Sequence, residues 1–148
     1  MGSVDLVDET FISVSPDVAA AVVADSSRWP VWFPDVELTV FMDRGSKGIR
    51  WSVTGALVGS MEIWLEAFGD GVIVHYYLRV DPTRNGTGTE PAPFDSSPSG
   101  NRRASRVRAD RAKHWKRLIW TLKDELEAGR QVGSPAAGED LHPAEAAG

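Results

Sequence analysis

Four side chains in one short stretch could together serve acid–base chemistry. Glu62, Glu66, His75 and Arg79 fall within GSMEIWLEAFGDGVIVHYYLRVD, residues 59–81, two apolar-alternating runs joined at Asp70-Gly71. Two carboxylates beside an imidazole and a guanidinium are the groups that acid–base steps need. Asp-Gly between such runs predicts a hairpin with a type I′ turn on those two residues. That turn sets Glu66 opposite His75, Trp64 opposite Tyr77 and Glu62 opposite Arg79. On the other face Ala67, Leu65, Ile63 and Met61 meet Val74, Tyr76, Leu78 and Val80.

Which face looks inward decides what the set can do. Turning the charged side inward would leave Met61, Ile63, Leu65, Val74, Tyr76 and Leu78 in water, at ~1.5–3 kcal/mol each. The charged side is therefore expected to face solvent, with cross-strand ion pairs worth ~0.2–1 kcal/mol each, so that loss of His75 changes stability little. A one-residue slip would reverse the assignment, and Glu66, His75 and Arg79 stand as the catalytic alternative.

The neighbouring elements follow from periodicity and caps. Leu6 to Val14 reads as a strand, and Ser15-Pro16-Asp17 starts a short helix to Asp25. Ser26 to Pro34 (SSRWPVWFP) holds one more helical turn at most. Val36 to Met42 and Ile49 to Thr54 alternate as strands, with Trp51 and Val53 on the inward parity. Arg44-Gly-Ser-Lys-Gly48 between them is a turn, too short for a phosphate loop and followed by no helix. From about Asn101 to Ala128, Ala104, Val107, Arg111, Trp115, Leu118, Ile119, Leu122 and Leu126 recur at three- and four-residue spacing and make one helical stripe, with Gly129 as its stop. Trp120 lies about 140° round that helix from Trp115 and is expected outside. Asp81 to Gly100, rich in Pro, Gly, Ser and Thr, is expected to be a disordered loop, and 131–148 a disordered tail. The folded domain is thus placed at 4–128.

Composition narrows the chemistry. At 148 residues with 42% hydrophobic and 25% charged content, the chain can bury a core. It has no cysteine, and its three histidines (His75, His114, His142) show no ligand spacing, so neither metal nor cofactor is expected. No apolar run reaches the ~18 residues of a spanning helix, and the start of the chain lacks the features of a signal peptide, so a cytoplasmic location is expected. The net charge of −5 conceals an asymmetry: residues 102–117 carry eight of the 16 basic side chains against Asp110 alone. Such a stretch could meet an anionic group. It lacks the interleaved aromatics and motifs of a nucleic-acid binder.

The order of the elements is itself a signature. Ser15-Pro16-Asp17 with Asp25, Trp29, Trp32, Pro34 and Asp35 is followed by Trp64-Leu65-Glu66 with Gly69-Asp70-Gly71, then by Trp115 to Leu126. This order resembles the helix-grip fold of the START-like (SRPBCC) superfamily, more narrowly its bacterial polyketide cyclase/dehydrase and lipid-transport members. The resemblance implies an α+β fold in which a curved antiparallel sheet wraps a long C-terminal helix. With nearly all of the strand region before the hairpin reduced to Ile49–Thr54, the sheet is expected to be shortened.

It further implies a ligand between sheet and helix, an apolar or aromatic small molecule such as a lipid or a polyketide-like compound. Trp29, Trp32 and Phe33 would roof that cavity, and Trp51, Val53, Ile63, Leu65, Tyr76, Leu78 and Trp115 would line it. Three readings follow: a binding or transport protein, foremost; a cyclase/dehydrase-type enzyme using His75, Glu66 and Arg79; and a regulatory module acting through the basic helix and Trp120.

Overall fold

The computed structural model describes residues 2–128. Five strands, β1 (Val4–Ile12), β2 (Val36–Asp43), β3 (Gly48–Gly55), β4 (Leu57–Phe68) and β5 (Gly71–Pro82), form one antiparallel sheet in the order β1-β5-β4-β3-β2. Between β1 and β2 come two short helices, α1 (Pro16–Val23) and α2 (Trp29–Trp32), and a 30-residue helix, α3 (Pro98–Glu127), closes the described chain.

Local chemistry accounts for the helix ends. The Ser15 hydroxyl accepts from the Val18 amide, with Pro16 in the first turn. α3 starts the same way, because Ser97 accepts from the Gly100 amide at 3.0 Å and Pro98 follows it. At its far end Ala128 itself takes the left-handed conformation, at φ 48°. Gly129 lies outside the described residues, as do His142 and the tail 131–148.

The hairpin carries a correction. Its turn falls on Gly69-Asp70, with Phe68 paired to Gly71, so every partner moves by two residues and the faces are kept. Trp64 stands opposite His75, Glu62 opposite Tyr77 and Ser60 opposite Arg79. Gly69 adopts φ 56° at the first turn position, the demand of a Gly-X turn rather than an Asp-Gly one. Gly71 is needed for a different reason: a Cβ there would lie 2.3 Å from the Ile12 carbonyl oxygen and against the Phe11 ring. The second glycine thus serves the approach of β1, not the turn.

The segment 81–100 is a second correction. Asp81 and Pro82 belong to β5, and Pro98 to Gly100 to α3. Between them the Thr83 hydroxyl donates to the Gly55 carbonyl at 2.6 Å, the Arg84 amide to the Glu90 carbonyl at 2.8 Å, and the Ala92 amide to the Pro82 carbonyl at 2.8 Å. Phe94 packs on the core with the Arg103 guanidinium 5.4 Å from its ring centre. Backbone pairing supplies the order that so polar a composition does not advertise.

Candidate functional site

The apolar face of the hairpin and one stripe of α3 close on each other. Ile63, Leu65, Tyr76 and Leu78 are buried with Trp51 and Val53, and Trp115, Ile119 and Leu122 meet them from the helix. Tyr76 stacks on Trp115, ring centres 3.8 Å apart and planes within 5°, and Phe33 lies parallel on it at 6.4 Å. Burial pushes the Tyr76 phenol above its ordinary range, opposed by the positive charge of Arg111. The expectation of an open cavity is corrected here. The void left beside Trp115 is about 10 Å³, lined by Ile12, Ala19, Val23, Ile63, Val74 and neighbours, which is no more than a single water needs. Large rings fill the gap: Phe33, Tyr76 and Trp115 form one three-ring stack where a ligand was expected.

Trp29 and Trp32 are only partly buried. Trp29 packs edge-on against Trp51 at 5.3 Å and donates its indole N–H to the Val23 carbonyl. Trp51 is buried, and its own indole N–H has no hydrogen-bond partner among the described residues. On the outer side of Trp32, between α2 and α3, runs a groove of about 400 Å³ lined by Val31, Trp32, His114, Leu118 and Leu122, with Arg28, Arg117 and Glu125 at its rim. Trp32, Leu118 and Leu122 line both this groove and the inner void, so the wall between them is one layer of side chains thick.

Three polar clips hold α2 against α3. Arg28 donates to Glu125 through two nitrogens at 3.3 and 2.9 Å, His114 Nε2 donates to the Trp32 carbonyl, and Arg111 forms a two-pronged pair with Asp35. Burial alone would raise the Asp35 carboxyl. The Arg111 bond and charge outweigh it and, with a backbone bond and His114, hold it below the usual carboxylate range. Arg111, His114 and Arg28 were not among the expected site residues. Arg111 carried the one signal, a lone cation in an otherwise apolar helical stripe.

The four hairpin groups point away from α3 and are only partly gathered. Glu66 and His75 do meet: His75 Nε2 donates to Glu66 Oε1 at 2.8 Å, diagonally across the strands. Glu9 of β1 approaches Nδ1 at 3.4 Å, outside hydrogen-bonding geometry. Trp64 stacks on the imidazole at 4.3 Å, and His75 is only 6% exposed. The expectation of a solvent-exposed His75 is thus corrected: on a shallow outer face a large neighbouring ring can cover an imidazole. Arg79 stands apart, opposite Ser60 and Asp5. Glu62 instead binds Arg50 at 3.1 Å and Arg44 at 3.2 Å.

On α3, Arg102, Arg106, Lys113, Arg117 and Trp120 all face outward, within an arc of about 60° at 100° per residue. Trp120 is 63% exposed. Among the described residues no cluster of three or more His, Cys, Asp or Glu side chains could hold a metal ion, and no helix is long and apolar enough to cross a membrane.

No protein-family model and no curated protein matches the chain. Its sheet order and closing helix do have a counterpart among solved structures. The solution structure of the Aha1 dimer from Colwellia psychrerythraea superposes with a TM-score of 0.55, at 13% identity, over 86% of this chain and 99% of that one. The fold is START-like, of the helix-grip type. A START superfamily protein from Mycobacterium smegmatis (TM-score 0.39, 14% identity, 80% of this chain and 98% of that one) is also similar. So is Ara h 8.0201 (TM-score 0.44, 13% identity, 82% and 95%). At such identity, the likeness to the Aha1 structure speaks for the fold alone and not for a shared activity.

Proposed function

We propose that the chain binds an apolar small molecule, lipid or polyketide-like, which enters between α2 and α3. The observation that carries this reading is the shared wall of Trp32, Leu118 and Leu122. A ligand seated in the groove needs only to displace the Trp32 ring to reach the aromatic stack beneath. The clips that hold α2 oppose little, since partly exposed pairs such as Arg28–Glu125 are worth ~0.2–1 kcal/mol each. Nile red, a neutral apolar dye, should bind and brighten. Leu118→Arg, which puts a charge in the wall, should abolish the effect, and Trp32→Ala should alter the affinity. Native mass spectrometry of the purified protein would reveal a co-purified apolar compound. Absence of both dye binding and any such compound overturns the reading.

A second reading is favoured by the outward stripe of α3, where four cations end at an exposed Trp120. It is a docking face for an anionic surface. Its mark would be binding that weakens steeply with salt and is lost in Arg106→Glu/Lys113→Glu, with Nile red binding intact.

A further inference from the structure

The sheet face turned away from α3 carries a second, larger hollow, of about 500 Å³. Its floor is two serines, Ser52 and Ser60, paired across β3 and β4. Tyr77 and Arg79 of β5 rise on one side, and Arg50 and Phe41 on the other. Phe41 is there because β2 carries a bulge. Val40 pairs with Trp51 and Met42 with Arg50, so Phe41 has no partner on β3. Its ring stands 62% exposed at the rim. An unpaired bulge residue re-aims its side chain, a device found beside binding sites.

The charge in this hollow is not balanced from within. Its one carboxylate, Glu62, is already taken by Arg50 and Arg44. Arg79 makes no ion pair among the described residues, and Asp5, across from it on β1, does not bond it. The hydroxyls of Ser52, Ser60 and Tyr77 likewise make no hydrogen bond among the described residues. Donors and positive charge therefore converge, beside two aromatic rings, with nothing among the described residues to accept from them. A guanidinium next to hydroxyl donors matches a carboxylate well. A volume of this size suits a small molecule rather than a simple ion.

We propose that the outer hollow is a binding site for a small aromatic carboxylate, its charge on Arg79 and its ring against Phe41 and Tyr77. This site is separate from the groove between α2 and α3 and does not depend on it. The probe is 2-naphthoate, titrated into the intact protein and followed by amide chemical shifts. Saturable shifts confined to β2–β5 around the hollow are expected. Arg79→Gln, at an exposed position that leaves the fold intact, should weaken binding about tenfold or more, the cost of one lost charge-assisted contact. Arg79→Lys should recover part of it, and Phe41→Ala should weaken it. The neutral 2-naphthamide should bind less tightly than the acid, and Trp32→Ala should leave 2-naphthoate binding unchanged. The proposal is overturned if no saturable binding occurs, if Arg79→Gln or the amide binds as well as the parent pair, or if the shifts map to α2 and α3.

Discussion

His75 has an acid at each side and an indole as its cover. Its Nε2 bonds Glu66 from β4, Glu9 approaches from β1, and Trp64 lies over the ring. Such a residue is held by more than an exposed pair. His75→Ala should cost roughly 1.5–3 kcal/mol, the range for a hydrogen bond to a charged group, read by urea denaturation near neutral pH. A loss under about 0.5 kcal/mol would mean that the neighbours do not hold the ring. Asp35 offers a test by pH. Its folded value lies below the ordinary 3.8, so its pair with Arg111 stabilises the protein fully above that value. The contribution is lost as pH falls through the lower folded value. Asp35→Asn should therefore lower the melting temperature near neutral pH and flatten its fall in acid. An unchanged acid slope would deny the pair that role.

At the scale of elements, Thr83 is the peg of the connection between β5 and α3. Its hydroxyl reaches the Gly55 carbonyl at 2.6 Å and the Ala56 carbonyl at 3.2 Å, and the residue is buried. Thr83→Val should cost about 0.5–1.5 kcal/mol, the worth of the lost bond to the Gly55 carbonyl, since the Ala56 carbonyl keeps the backbone amide of residue 83. It should also open residues 84–96 to limited proteolysis, which should leave the parent chain uncut there. The strands were legible because alternation survives any register, and that is why the apolar face of the hairpin could be assigned while its pairings were off by two. Two glycines flank Asp70, and the linear pattern does not say which one turns the chain and which one lies under β1. The start of α3 carries its own signal, since Ser97-Pro98 repeats the Ser15-Pro16 cap, but it lies in a stretch whose composition reads as loop.

For the molecule as a whole, the ring stack of Phe33, Tyr76 and Trp115 decides more than any single pair. The sequence pattern put Tyr76 and Trp115 on inward faces and the family resemblance put Phe33 above them, and all three are buried. It could not say whether they surround a space or fill it, because that depends on sheet curvature and on ring volumes summed across four elements. The residues that gather at the groove come from α2 and from a helix some eighty positions later. Only the fold brings them together. The same bulge that lifts Phe41 over the outer hollow has a consequence for how copies of the chain meet. β2 is the last strand of the sheet and exposes Val40, Phe41 and Met42 in succession. A flat, apolar rim of that kind would invite another molecule to add a strand and grow into an aggregate. The extra residue interrupts the spacing of the unpaired amides and carbonyls there, so an incoming strand finds no regular ladder to continue. Deleting Phe41 would straighten that rim, and the cost should appear as light scattering that grows with protein concentration.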